Sequence, residues 1–228
     1  MSKISNNTGI LSDIEIQNLL DNEIIISSSK IDNEQVQPAS LDLSLGNKAW
    51  RVKSSFLPGT KNKVTDKISR LAMHEIDLTY GAVLEKGCVY IAEISEFLNL
   101  ESDVSASANP KSSTGRLDIF TRLIVDYANE FENVKPGYNG PLYIEISPRT
   151  FSILVKSGTR LNQIRFRRGN YLLNDEDTKN LHEKVNLVSG YENSLDIRNG
   201  IPLSIDLSGG RDNLIGYRAR KHTDLINL

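Results

Sequence analysis

The sequence predicts a mainly β protein, a distorted barrel or jelly roll of short strands with a few short helices. Two observations carry this: short apolar or alternating runs recur at 41–45, 89–92, 142–146 and 151–155, and Gly, Pro, Asn and Ser clusters separate them. A third concerns organisation. Pro38-Ala39-Ser40-Leu41-Asp42-Leu43-Ser44 is echoed by Pro202-Leu203-Ser204-Ile205-Asp206-Leu207-Ser208, each followed closely by glycine, so a second copy of the fold begins near residue 190 and the chain stops soon afterwards.

The elements follow in order. Ser12 with Glu15 forms a capping box, and Ile14, Leu19 and Leu20 supply the apolar side of a short helix ending near Asp21 and Asn22. Residues 1–34 are therefore read as a helical segment packing on the barrel, and 35–170 as the β domain. Within it, turns are marked by Gly46, Gly87, Gly137, Gly140 and Gly158, and Val64, Ile68, Leu71 and Ala72 stand at helical spacing in a loop. Residues 171–189 are polar and form a connector, with a short helix capped by Asn174 or Asp175. Residues 190–228 start an incomplete second repeat.

Composition narrows the function classes. The 228 residues are 39% hydrophobic and 25% charged with a net charge of −2, ordinary values for a globular protein, and they give no reason to expect nucleic acid or an anionic membrane as partner. No window approaches the roughly 18 apolar residues of a membrane span, and the polar N-terminus has no signal-peptide core, so a cytoplasmic location is expected. The single cysteine, Cys88, fits a reducing compartment and reads as a small buried hydrophobe. His182 and His222 read as solvent-facing, and Arg218, Arg220 and Lys221 as a solvated strand end.

Chemistry concentrates in two places. Lys111-Ser112-Ser113-Thr114-Gly115-Arg116 brings two cations and three hydroxyls together just after Pro110, which suits either an anion cradle or a polar turn that caps a helix. The spacing is not that of a Walker loop. Glu145 interrupts an apolar strand and shares a face with Tyr143 and Ser147, while Leu142, Ile144 and Ile146 take the other. That face is either solvent or a cleft; in a cleft the carboxylate is placed to move protons.

These segments and their flanks resemble one family. Gln37-Pro38-Ala39-Ser40-Leu41-Asp42-Leu43, Lys111-Ser112-Ser113-x-x-Arg116-Leu117, Pro136-Gly137-Tyr138-x-Gly140-x-Leu142-x-x-Glu145 and Gly158-x-x-x-x-x-Gln163 look like the ordered motifs of the dCTP deaminase branch of the dUTPase-like superfamily. The echoed segment further resembles the double-length bacterial form of that deaminase, of which this chain would be the first half and the opening of the second. The resemblance implies a dUTPase-like barrel assembled as a homotrimer, with active sites at subunit boundaries. It also implies hydrolytic deamination of dCTP to dUTP and ammonia. Ser112 would orient the water, and Glu145 would act as base and then acid. Ser113 and Arg116 would meet the triphosphate or stabilise developing charge, with Lys111 where single-domain members usually have arginine, and Gln163 would be either a further substrate contact or a turn or strand residue. Magnesium is expected only as companion of the triphosphate.

Composition bears on the same chemistry. Zinc-dependent nucleobase deaminases hold the metal with a His or Cys and a Cys-x-x-Cys pair, which one cysteine and His74, His182 and His222 do not supply. One departure from the family pattern stands out: Lys135 occupies the place before Pro136-Gly137 where an aspartate commonly recognises the sugar, and Asp126, Glu130 or Glu132 are candidates to replace it. The competing expectations are a dUTP diphosphohydrolase, which Lys135 disfavours, and a non-catalytic split half that binds nucleotide or assembles with a companion chain carrying the rest of the repeat.

Overall fold

The structure is a computed structural model and describes residues 8–169, 172–190, 195–220 and 224–228. The chain divides into two compact units, Met1–Gly169 with Ala219–Leu228, and Asn170–Arg218.

The first unit opens with β1 (Gly9–Ile10) and α1 (Asp13–Asp21). The capping box forms: the Ser12 hydroxyl accepts from the Glu15 N–H at 3.4 Å, and the Glu15 carboxylate accepts from the Ser12 N–H at 2.9 Å. The apolar side differs from the sequence expectation. Ile16 and Leu19 are buried and Leu20 packs on the core, whereas Ile14 is 71% exposed. Residues three and four apart share a helix face, and Ile14, two positions from Ile16, points away from it.

Next come β2 (Ile25–Ser27), β3 (Val36–Gln37), β4 (Ser40–Val52), α2 (Val64–Leu71), β5 (Ala72–Asp77), β6 (Ala82–Leu84), β7 (Val89–Asn99) and β8 (Val104–Pro110). After α3 (Ser112–Arg116) the chain continues through β9 (Ile119–Val125), β10 (Asn133–Val134), β11 (Asn139–Pro148), β12 (Ile153–Val155) and β13 (Arg160–Arg168). Strands β10-β8-β13-β4-β7-β11-β9 form the main, nearly closed barrel-like sheet, with β1 on β13, β2 on β7, and β3 and β5 on β4. A smaller sheet pairs β12 with β6 and, in parallel, with β14 (Ile226–Asn227).

Strand β4 joins the two halves of the barrel. Its first part pairs with β13 (Leu41 opposite Ile164, Ser44 opposite Arg160), and its later part with β7 (Ala49 opposite Ala92, Val52 opposite Val89). The register slips between Leu45 and Ala49, and Gly46 sits in that slip with Glu93 so near that a Cβ would lie 3.1 Å from the Glu93 Cβ.

Alternation sorts the side chains. Leu41, Leu43 and Leu45 of β4, Leu142, Ile144 and Ile146 of β11, and Ile164 and Phe166 of β13 fill the main core. On the other face of β7, β9 and β11, Ile91, Ile124 and Tyr143 form a second cluster with Val52 and with Val64 and Ile68 of α2. Thus α2 roofs the sheet face that carries Glu145. The carboxylate of Asp126 accepts from the Val64 N–H at 2.8 Å and fixes the first turn of that roof.

In the second unit, α4 (Asp175–Val185) starts where the Asn174 side chain accepts from the Asp177 N–H at 2.8 Å. His182 is 6% exposed, which corrects the solvent-facing expectation: its Nδ1 accepts from the Leu187 N–H at 3.0 Å after the left-handed turn at Asn186, so the ring closes the helix end. His222 and Lys221 lie outside the described residues, and Arg218 and Arg220 are exposed. The echo at 202–208 is not a strand. Leu203, Ile205 and Leu207 are 88%, 82% and 74% exposed, and among the described residues no strand supplies the ladder that an extended segment needs. No helix among the described residues is long and apolar enough to cross a membrane.

The outer face of β4 carries Ser40, Asp42 and Ser44, all buried. Gln35 covers it: its amide donates to the Asp42 carbonyl, the Ser44 hydroxyl and the Glu96 carboxylate at 3.0, 3.1 and 3.0 Å, while the Ser44 N–H donates to the other Glu96 oxygen at 3.0 Å. Glu96 is 1% exposed, and burial pushes its carboxyl up to about 7 against the pull of those donors. Its folded value lies above the ordinary 4.5, so its contribution is complete below that value and is lost as pH rises through about 7. Urea denaturation from pH 5 to pH 8 is expected to show a loss of stability on the order of 3 kcal/mol from this group. Glu96→Gln should remove that share of the slope; an unchanged slope would count against a buried, ionising Glu96.

Candidate active site

The first site cluster follows β8. Pro110 ends the strand, the Lys111 N–H and the Thr114 hydroxyl both bond to the Leu161 carbonyl (2.9 and 2.8 Å), and α3 is thereby pinned to β13. Ser112, Ser113 and Arg116 are exposed, and among the described residues their side chains hold no hydrogen bond or ion pair. Lys111 differs. Its ammonium pairs with the carboxylate of Asp42, whose side chain is 3% exposed against 28% for the lysine. Gln163 lies opposite Asp42 on one side and Asn109 on the other, and its Oε1 accepts from the Ser40 hydroxyl at 3.3 Å. The β4, β8 and β13 ladders therefore bring Asp42, Lys111 and Gln163 together. Beside them a cleft of about 480 Å³ is lined by Ser113, Thr114, Lys156, Gly158 and Arg160. Arg160 is ion-paired with Asp32.

The second cluster surrounds Glu145. In β11 it stands opposite Ile91 of β7 and Arg122 of β9, and it is 2% exposed, so its face is not solvent. A carboxylate so buried requires a charged partner. Arg122 provides it: Nε and Nη2 donate to Glu145 Oε1 at 3.2 and 2.7 Å, and Nη2 also donates to the Ser55 hydroxyl at 2.8 Å. The guanidinium lies over Phe131, 3.5 Å from the ring centre, and 5.0 Å from that of Phe120. Both arginine donors thus fall on one oxygen, and Glu145 Oε2 is buried without a hydrogen-bond partner.

Of the three carboxylates in the long segment before Lys135, Asp126 is engaged at α2 and Glu130 accepts from the exposed Asn133 amide at 3.1 Å. Glu132 is half-buried. Its Oε1 accepts from the Leu123 N–H at 3.2 Å, its Oε2 has no partner, and burial pushes its carboxyl up to about 7 while Arg122 pulls the other way. Lys135 is exposed at the rim of a cavity of about 260 Å³, lined also by Val125, Asp126, Asn129, Glu130 and Tyr138.

Within one chain no hydrogen bond or ion pair links Glu145 to Ser112, Ser113 or Arg116. Arg122, Phe131 and Ser55 are residues around Glu145 that sequence reasoning missed, and Glu132, weighed there only as a stand-in for the aspartate, lies beside them. The available signal was an arginine inside Ile119-Phe120-Thr121-Arg122-Leu123-Ile124-Val125, a run as apolar as the strand that carries Glu145.

A nearly closed barrel, an exposed Ser-Ser-x-x-Arg turn and a buried, singly paired glutamate on the next sheet face define a protein of the dUTPase-like class. The comparisons specify it further. The family model for the 2'-deoxycytidine 5'-triphosphate deaminase (DCD) N-terminal domain matches residues 7–170, and that for its C-terminal domain matches residues 174–228. The chain belongs to the 2'-deoxycytidine 5'-triphosphate deaminase family. A Methanosphaera stadtmanae protein named "dCTP deaminase, dUMP-forming" is 27% identical over 201 residues, covering 84% of this chain and 98% of the relative. A Halorubrum lacusprofundi protein named "dCTP deaminase" is 27% identical over 161 residues, 69% of this chain and 76% of its own. The crystal structure of 2'-deoxycytidine 5'-triphosphate deaminase from Agrobacterium tumefaciens superposes with a TM-score of 0.87 at 54% identity, covering 96% of this chain and 66% of that one.

The Lys111–Asp42 pair yields an asymmetric expectation, because the aspartate is the more buried partner. Lys111→Met strands that carboxylate and should cost on the order of 3 kcal/mol in urea denaturation. Asp42→Asn leaves a lysine able to reach water and should cost clearly less. Equal costs would mean that the pair is not buried in solution.

Proposed function

We propose that the protein deaminates dCTP hydrolytically to dUTP and ammonia, without zinc at the reacting carbon. The observation that carries this reading is the division of labour on Glu145: one oxygen saturated by Arg122, the other buried and free. A carboxylate so held can take a proton from water as the water attacks C4 of cytosine, deliver it to N3, and then help the amino group leave as ammonia while C4 becomes a carbonyl. Ser112 orients the water. General acid–base work of this kind is worth about 10²- to 10⁴-fold, and placement of water and base supplies more.

The triphosphate, travelling with magnesium, is assigned to Ser113 and Arg116, with Lys156 along the cleft that Ser113 lines. Lys111 flanks the phosphates with its charge balanced by Asp42, and Gln163 presents its amide from the neighbouring ladder. The metal-free reading is supported by composition, since one cysteine and three histidines fall short of a deaminase zinc site.

A homotrimer with sites shared between subunits belongs to the same proposal. It is supported by the fact that no hydrogen bond or ion pair joins Glu145 to Ser112 or Arg116, and that among the described residues those exposed side chains hold no partner. A dUMP-forming reaction is the second reading, favoured by the names of relatives such as that of Methanosphaera stadtmanae; it would add release of pyrophosphate. Lys135 in place of an aspartate argues against that added step.

Purified chain with dCTP and magnesium is expected to release ammonia and dUTP in equal amounts without pyrophosphate, and Glu145→Gln should slow this by roughly 10³-fold. Pyrophosphate matching the ammonia would select the second reading. No ammonia from folded, oligomeric protein would leave a non-catalytic nucleotide-binding half. Mixing inactive Ser112→Ala and Glu145→Gln chains after subunit exchange should restore activity at roughly a quarter of the sites if each site draws on two subunits of a random trimer. A mixture as inactive as its parts would rule out shared sites.

A further inference from the structure

Glu132 takes part in none of the steps above, yet its surroundings are built with care. Its backbone is left-handed (φ 64°), a conformation that residues with a side chain seldom adopt and that tends to persist where the surroundings demand it. Its Oε1 is tied to the N–H of Leu123, the residue after Arg122, and its chain neighbour Phe131 is the ring beneath the Arg122 guanidinium. Its Oε2 is buried without a partner, as is the Oε2 of Glu145.

We infer that Glu132 is a positioning residue of the Glu145 site, a second carboxylate poised beside the Arg122 segment to answer the charge of the guanidinium. Its kinetic consequence rests on the deaminase reading; its electrostatic consequence does not. Arg122 is held in place by neutral contacts with Phe131 and Ser55. When Glu145 takes up a proton, the half-buried arginine loses its ionic partner and keeps only neutral contacts, so a second anion close by becomes more favourable. Glu132 can ionise at that moment, its proton passing to bulk water, and can recover a proton when Glu145 gives its own away. The charge around Arg122 then stays constant through the cycle. Arg122 is the charged group that acts on Glu132, and Glu145 acts through it; Glu130, two residues away, turns outward to Asn133.

The test is a carboxyl titration by carbon NMR on glutamate-labelled full chain, the Glu132 signal being assigned by its loss in Glu132→Gln. In the wild type its midpoint is expected at about 7. In Glu145→Gln the freed arginine should lower that midpoint by about one unit, and in an Arg122→Met background the same substitution should leave it in place. A midpoint indifferent to Glu145→Gln, or one that moves equally without Arg122, overturns the inference. Kinetically, Glu132→Gln should lower kcat about tenfold with KM nearly constant. A fall in melting temperature with kcat intact would instead mean a structural glutamate. If the wild type releases no ammonia, the deaminase reading fails while the titration still decides the role of Glu132.

Discussion

A strand that serves two ladders has to turn between them, and β4 does so at Gly46, where a Cβ would press tightly on Glu93. The rest of the barrel hangs on that turn. Before it, β4 presents Leu41, Leu43 and Leu45 to the core and lays Asp42 beside β13 and β8; after it, the strand runs along β7 and supplies Val52 to the cluster beneath α2. One strand thus links the ladder that carries Lys111 and Gln163 to the sheet face that carries Glu145.

Asp42, Glu145 and Glu96 are the three carboxylates most fully withdrawn from water here, and each is treated differently. Asp42 is matched by a lysine that reaches the surface, Glu145 by an arginine clamped between rings, and Glu96 by amide donors with Arg160 acting only at a distance. Only the second arrangement leaves an oxygen unsatisfied. Amide donors hold a carboxylate still but cannot offset its charge, whereas a guanidinium does both from one side and leaves the other side open for chemistry. A sheet that buries Glu145 therefore also needs the segment at 120–132, which brings Phe131 and Glu132 to the same arginine.

Much of this was legible in the sequence where the signal is local. The capping box at Ser12, the amphipathic turn of α2, the Asn174 cap and the alternation that sends Leu142, Ile144 and Ile146 inward all depend on neighbours within a few residues. The family was also legible, because the order of its motifs along the chain is itself a pattern. What escaped was whatever depends on distant chain. Glu145 could be placed on a face, but that α2 covers the face, and that Arg122 faces it from β9, follow from pairings between residues far apart in sequence. His182 escaped because a backbone N–H that turns back onto the imidazole leaves no trace in composition. The echo at 202–208 matched β4 in residue type, yet residue type alone does not make a strand; β4 has β13 and β7 beside it.

That unpartnered echo has a colloidal meaning. Leu203, Ile205 and Leu207 alternate with polar residues on an exposed segment outside any ladder, so its apolar side chains and its backbone both have contacts to give. Any exposed sheet edge is a receptor for such a ribbon, whether it belongs to a neighbouring copy or to another protein. A segment of that composition makes association a matter of concentration as well as of fold.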